Sequence, residues 1–123
     1  MKVIVRITKN FKKEAKPLLK KHRSLAKDIL ALEKELMVTP MLGTPIGKNI
    51  FKIGLKITSK GKGKSGGARV ISLVETNLIG IVEQTTLEEI TVNLLSIYDK
   101  SEVATITDLE LKDLINSFHS GLE

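Results

Sequence analysis

Apolar residues alternate with polar ones at the start of the chain and then recur at helical spacing. Residues 2–8 put aliphatic side chains on one face, which predicts a half-buried strand. A helix should follow, with Asn10 as its cap and with Pro17 either kinking it or delaying its start. The apolar positions that predict the buried stripe of this helix are Phe11, Ala15, Leu18 and Leu19.

A second helical pattern begins after Ser24, a residue type that commonly caps helices, and ends before Pro40. Its apolar positions, spaced for one buried face, are Leu25, Ile29, Leu32 and Leu36. We expect the two helices to pack as a hairpin with lysines on their outer faces. Residues 40–49 contain two prolines and two glycines, so they predict a connecting loop.

The clearest alternation in the chain lies in residues 51–58. One set of positions is apolar, and the other is polar or glycine: Phe51, Ile53, Leu55 and Ile57 against Lys52, Gly54, Lys56 and Thr58. This pattern predicts a strand that buries the first set and displays the second. Residues 59–67 contain four glycines and three lysines, which excludes regular structure and predicts a flexible cationic loop.

Strand character resumes after this loop. It covers residues 68–74, continues less clearly through residues 78–82 and returns at residues 90–98, with a turn region expected at residues 88–89. Apolar residues occupy both alternating and non-alternating positions in the later strands. That pattern predicts central strands covered on both faces.

The end of the chain predicts a closing helix. Thr107 and Glu110 have the spacing of a capping box, and Ile106 and Leu111 have that of a hydrophobic staple. The face expected to be buried comprises Leu111, Leu114, Ile115 and Phe118. The resulting order, β-α-α-β-β-β-α, predicts an α+β fold whose mainly antiparallel sheet packs against helices mainly on one face. Residues 1–121 are predicted to form a single domain, and residues 122–123 resemble a vector remnant.

Charge is divided unevenly along the chain. Residues 1–69 contain 18 basic and four acidic residues, whereas residues 70–123 contain two basic and ten acidic residues. Such asymmetry points to a polyanion partner for the first part. The chain has no cysteine, which excludes disulfides and thiolate chemistry, and its two histidines are far apart. We therefore expect neither a metal nor a cofactor.

Other function classes are excluded by what the sequence lacks. No apolar run approaches the roughly 20 residues that span a bilayer, and the start has no secretory signal pattern, so we expect no membrane partner and a cytoplasmic location. Only four residues are aromatic, which argues against binding single strands by base stacking. Residues 61–66 match G-x-G-x-x-G, but a strand rather than a helix should follow, which excludes a dinucleotide site or a P-loop.

Several basic residues and one tyrosine would meet if the predicted strands are neighbours. They are Lys52, Lys56, Arg69, Tyr98 and Lys100. Such a sheet surface, with the lysines of residues 60–64 at a hairpin tip, could contact phosphates. Ordinary solvated charges explain the same residues as well. His22 at a helix end is explained by its interaction with the helix dipole.

Three segments resemble the RelE toxin superfamily, in particular its RelE/HigB-like branch. They are residues 51–55, residues 59–71 with the sequence SKGKGKSGGARVI, and residues 94–102, which contain IYDKSE. The paired helices and the closing helix fit as well, so the resemblance covers nearly the whole chain. It implies a RelE-like fold and a small toxin of a type II toxin–antitoxin pair. Such a toxin cuts mRNA in the ribosomal A site, contacts ribosomal RNA and is neutralised by an acidic antitoxin protein.

The resemblance also implies the chemistry and the residues that perform it. In this family the 2′-hydroxyl attacks the adjacent phosphate without a metal, and cations stabilise the charge that develops. By position, Lys52 and Arg69 match the basic pair of the family, and Tyr98 and Lys100 match the further catalytic groups. The residues expected to contact RNA are Lys56, Lys60, Lys62 and Lys64.

Gly54 departs from the family pattern, because relatives usually have arginine or lysine at this position. A catalytically weakened relative that binds RNA therefore remains an alternative. A ParE-like protein of the same fold, which inhibits DNA gyrase without cutting RNA, is another. The cationic surface of Lys52, Lys56 and Arg69 favours the ribonuclease, since gyrase-directed relatives do not need it.

Overall fold

A five-stranded sheet with helices on both sides forms the fold. The computed structural model describes residues 2–60, 66–103 and 105–121. The strands are β1 (Lys2–Ile7), β2 (Thr44–Gly47), β3 (Ile50–Leu55), β4 (Ala68–Val82) and β5 (Thr85–Asp99), and the helices are α1 (Lys9–Lys21), α2 (Leu25–Val38) and α3 (Asp108–His119). A short 3-10 turn, Thr58–Lys60, follows β3, so the predicted irregular loop begins with an ordered turn.

The strands lie in the order β1-β5-β4-β3-β2. β1 runs parallel to β5, and the remaining neighbours are antiparallel. The parallel pair is possible because α1 and α2 carry the chain away from β1 before the antiparallel strands begin. The fold is thus α+β with a mixed five-stranded sheet and three helices, which confirms the predicted class.

Apolar residues of the central strands face both sides of the sheet. On one side, the inward residues of β3 pack with α1 and α2 in the larger apolar cluster. On the other side, a smaller cluster packs against α3 and comprises Ile50, Ile71, Leu73, Leu95 and Tyr98. The prediction of doubly covered strands is therefore confirmed. Two helices, α1 and α2, pack on one face as predicted, whereas the apolar face of α3 meets the second cluster on the other face.

Helix α1 is capped by Thr8 rather than by the predicted Asn10. The Thr8 hydroxyl accepts a hydrogen bond from the Phe11 N–H at 3.3 Å and donates one to the Leu94 carbonyl at 2.8 Å, so it joins the helix start to β5. Asn10 instead donates to the Leu95 carbonyl at 2.9 Å. The helix begins without delay and continues through Pro17.

Two strand boundaries and one buried position differ from the sequence pattern. Residues 44–47, predicted as loop, form β2 at the sheet edge. The turn predicted at residues 88–89 lies at Glu83 and Gln84, whose φ angles of 49° and 66° are those of a type I′ hairpin. Leu19, expected to be buried, is 41% exposed. Because the turn lies at residues 83–84, β4 and β5 form one long hairpin of two 15-residue strands.

Helix α3 begins at the predicted capping box. Thr107 and Glu110 exchange reciprocal side chain to backbone hydrogen bonds, each 3.1 Å long. Its apolar face packs against the smaller cluster, but every residue of the helix keeps some exposure. The helix is therefore half-buried rather than part of the core. None of the helices in the described part of the chain is long and apolar enough to cross a membrane.

Candidate functional site

Three of the predicted site residues share one face near one end of the sheet. Arg69 in β4 lies directly opposite Tyr98 in β5, and Gly54 in β3 flanks Arg69 on its other side. Lys52 lies two residues before Gly54 and opposite Ile71. Because side chains alternate along strands, Lys52, Arg69 and Tyr98 project from the same face. We call these three residues the sheet-face row.

Tyr98 is the buried member of the row. Its side chain is 8% exposed and belongs to the smaller apolar cluster. Its hydroxyl has no hydrogen-bond partner among the described residues. Lys52 and Arg69 are partly exposed, and the Arg69 guanidinium donates to the Ala68 carbonyl at 3.1 Å. The row thus combines two accessible cations with a buried phenol.

The other predicted cations lie around the row rather than in it. Lys56 is exposed just after β3, close enough to the Asp28 carboxylate to contribute to lowering its pKa. Lys100 is exposed in the turn after β5, where its backbone N–H donates to the Gly67 carbonyl at 3.1 Å. Two further residues predicted to contact RNA, Lys62 and Lys64, lie outside the described residues.

A buried carboxylate lies directly behind the row. Asp99 follows Tyr98, so its side chain points to the opposite face of the sheet, and it is 1% exposed. Lys60 Nζ donates to both Asp99 oxygens at 3.1 and 3.3 Å, and His22 Nε2 lies 3.2 Å from Oδ2. Ser101 adds bonds from its N–H at 2.9 Å and from its hydroxyl at 2.7 Å. These four residues form what we call the Asp99 cluster.

Opposing effects set the charge state of Asp99. Burial alone would raise the pKa of its carboxyl, but the hydrogen bonds from Ser101, Lys60 and His22 outweigh burial and hold the pKa well below its ordinary value. The carboxylate is therefore charged at neutral pH and ties together the end of α1, the turn after β3 and the turn after β5. Lys60, predicted as an RNA contact, directs its ammonium to this carboxylate and is 17% exposed.

A second carboxylate, that of Asp28 in α2, binds the 3-10 turn that contains Lys60. Asp28 accepts from the Thr58 hydroxyl at 2.6 Å and from the Thr58 N–H at 3.0 Å. Ser24, at the predicted cap position, makes no side-chain cap bond but donates to Asp28 at 2.8 Å and accepts from the Ser59 N–H at 2.8 Å. Burial would raise the pKa of Asp28, yet these bonds lower it overall. Two carboxylates thus fix the base of the glycine-rich loop.

No sequence pattern predicts the Asp99 cluster as a unit. His22 lies 77 residues before Asp99 in the chain, and only the fold brings the members together. The local signal is Ser101, because an aspartate often accepts the N–H two residues on in a turn. Glu102, the residue after Ser101, lies outside the cluster and pairs with Lys21 at 2.7 Å.

Comparisons with known proteins identify no relative of this chain. No protein-family profile, curated protein or solved structure matches the chain. Within residues 2–60, 66–103 and 105–121, no group of three or more histidine, aspartate or glutamate side chains is arranged to hold a metal ion. The candidate site is therefore described by the sheet-face row and the Asp99 cluster behind it.

Proposed function

We propose that this protein is a RelE-like toxin, a ribosome-dependent mRNA endonuclease that a cognate acidic antitoxin neutralises. The observation that supports this proposal most is that Arg69 lies directly opposite Tyr98 while Lys52 projects from the same face. The family resemblance assigns the chemistry to these residues, which belong to three different strands. Their common face would present cations to the phosphates of mRNA in the ribosomal A site.

The proposed reaction breaks one bond and forms one. The 2′-oxygen of a ribonucleotide bonds to the adjacent phosphorus, and the bond from phosphorus to the 5′-oxygen breaks, which leaves a 2′,3′-cyclic phosphate and a 5′-hydroxyl. A base takes the 2′-hydroxyl proton, and an acid protonates the leaving oxygen. Lys52 and Arg69 would stabilise the charge on the pentacovalent phosphorus, an effect of about 10²–10³-fold per donor in comparable sites.

Tyr98 and Lys100 supply groups that can move protons. Tyr98, whose hydroxyl is unpartnered among the described residues, lies opposite Arg69 in the paired strands, and Lys100 lies two residues further along the chain. A buried hydroxyl without a partner costs about 1–3 kcal/mol, and a catalytic role is one explanation for the retention of such a group. The Asp99 cluster would act indirectly, by fixing the strand end that holds both residues.

Gly54 favours a second candidate, a catalytically weakened relative that binds RNA. This residue flanks Arg69 directly, so a cation at position 54 would have adjoined the row. Lys56 lies two residues on, just after the end of β3, rather than in the row. The row therefore depends on fewer charges than the family pattern provides.

A translation reaction reconstituted with purified ribosomes tests the proposal, with primer extension to locate cuts in the mRNA. The wild-type protein should cut mRNA only when ribosomes are present. Arg69→Ala should lower cleavage by about 10²-fold, because one transition-state cation is lost. Lys34→Ala, which removes an exposed lysine of α2 outside the row, should leave cleavage unchanged. Circular dichroism of each variant separates lost chemistry from lost folding.

Each alternative gives a different result in this assay. Binding of RNA without cleavage would identify the weakened relative. Intact mRNA together with inhibited DNA gyrase would identify the ParE-like protein. Cleavage of RNA without ribosomes would contradict the ribosome-dependent step, and full activity of Arg69→Ala would remove the row as the catalytic site.

A further inference from the structure

The β4–β5 hairpin extends beyond the rest of the sheet as a two-stranded arm, residues 76–89. β3 pairs with β4 only as far as Leu73, and β1 pairs with β5 only from Glu89 onwards. Five large apolar side chains of the arm are between 41% and 67% exposed: Leu78, Ile79, Ile81, Val82 and Leu87. Open strand edges with this much exposed apolar surface mark an interaction site.

The arm is also acidic. Glu83 lies at its tip and Glu88 on its second strand, and no lysine or arginine occurs between residues 70 and 99. A complementary partner would therefore be both apolar and basic.

A groove between α1 and α2 has that character. Its volume is about 510 Å³, and its lining is mainly apolar, including Phe11, Ala15, Leu19 and Leu30. Its charged residues are two lysines, Lys12 and Lys16, and one glutamate, Glu33, so the lining is net positive. Phe11 and Ala15 are buried, whereas Leu19 and Leu30 are 41% and 56% exposed. The two lysines lie at i and i+4 on α1, so they share one side of the groove. The groove thus offers an apolar surface beside positive charge.

We propose that the arm of one copy of this chain binds the α1–α2 groove of a second copy. The same chain supplies an acidic apolar ribbon and a basic apolar groove, so charge complementarity selects a second copy as the occupant. Reciprocal binding about a two-fold axis would use each surface once per copy and close the assembly as a dimer. This inference does not depend on the proposed RNA chemistry.

Direct pairing of two arms would cover the same strand edges but is electrostatically worse. It would bring Glu83 and Glu88 of one copy towards the same acids of the other, and like charges facing across strands are destabilising. The groove offers Lys12 and Lys16 instead. A separate acidic protein would fit the groove but would leave the acidic arm uncovered, so it explains only one of the two surfaces.

Sedimentation velocity of the full-length chain at micromolar concentration tests this interface. The wild-type chain should form dimers, and Ile81→Lys should weaken dimerisation at least about tenfold by placing a charge in the apolar contact. Leu109→Lys is the matched control, because Leu109 on α3 is 68% exposed and Ile81 is 67% exposed. The control should dimerise like the wild type.

Groove variants identify what the arm binds. Leu30→Lys should weaken dimerisation as much as Ile81→Lys, and Lys16→Glu should do so without altering the apolar lining. A mixture of Ile81→Lys and Leu30→Lys chains should form heterodimers, because each mixed pair keeps one intact arm and one intact groove. Arm-to-arm pairing predicts instead that Leu30→Lys and Lys16→Glu dimerise normally.

Three results would overturn the proposal. They are a wild-type chain that stays monomeric at micromolar concentration, normal dimerisation of both groove variants, and no heterodimer in the mixture. Circular dichroism should match the wild type for every variant, since the substituted side chains are exposed. Should one groove variant fail to fold, the other still decides the outcome.

Discussion

Asp99 should make the free energy of unfolding depend on pH in the acidic range. Its pKa is held low in the folded protein, whereas the unfolded chain has the ordinary value of about 3.9. As the pH falls through about 4, the unfolded chain takes up the proton first, so the free energy of unfolding declines. Urea unfolding should show this decline. Asp99→Asn should flatten it and lower stability by about 3 kcal/mol at neutral pH, since it leaves Lys60 without its buried partner.

Glu102→Gln is the control for this experiment. Glu102 pairs with Lys21, but the two side chains are 52% and 56% exposed, so the substitution should change the free energy of unfolding by less than about 1 kcal/mol. Asp28 and Glu110 also have lowered pKa values. They add the same pH dependence to the free energy of unfolding of every variant. Parallel pH profiles for the wild type and Asp99→Asn would contradict the role given to Asp99.

The site residues differ in how far sequence could predict their positions. Alternation along β3 was enough to put Lys52 on the face away from the larger cluster. The pairing of Arg69 with Tyr98 depends on strand register, which the turn at residues 83–84 and two register shifts, at residues 71–72 and 78–80, determine. The partners of the carboxylate behind the row come from distant segments, so no local pattern contains them.

Gly67, just before β4, passes close to the backbone at the end of β3. A Cβ at this position would collide with the Leu55 carbonyl oxygen and lie 3.1 Å from the Ile57 nitrogen. Both are backbone atoms, so relief requires β3 or β4 to move. We expect Gly67→Ala to lower the free energy of urea unfolding by about 2 kcal/mol.

Gly80→Ala in the arm is the matched substitution. The nearest atom to a Cβ there is on the Leu87 side chain at 3.7 Å, an ordinary contact. Alanine also restricts the unfolded chain, so Gly80→Ala should be neutral or slightly stabilising. Equal losses of unfolding free energy in Gly67→Ala and Gly80→Ala would show that the contact with β3 is not what requires glycine at position 67.

Helices and strands could be predicted from the sequence where one buried face gives the apolar residues a regular spacing. They could not be predicted where no face is buried. α2 and β3 have one clear buried face each, and their patterns are confirmed. β2 is a four-residue edge strand with Pro45 and Gly47, residues that normally signal a loop. The first four residues of β5, 85–88, are exposed on both faces and Glu89 is half-buried, so both acids lie within the strand without interrupting the core.

The fold changes what the uneven charge along the chain means. β4 and β5, from the acidic part, lie between β1 and β3 from the basic part. Ion pairs join the parts directly, among them Lys60 with Asp99 and Lys21 with Glu102. The remaining imbalance is between the lysine-rich helices and the acidic arm. Charge therefore separates by surface rather than by position in the chain.

Burial across the molecule predicts an order of local opening. Residues 70–74 of β4 and 92–97 of β5 are buried throughout, whereas residues 76–89 and α3 contain no buried residue. Amide hydrogen exchange should be slowest in the first two stretches and faster in the arm and α3, because little apolar contact is lost when these open. Protection of the arm, and not of α3, should rise with protein concentration if the arm binds a second copy. Exchange in α3 as slow as in the core of β5 would contradict this order and would make the helix part of the cooperative core.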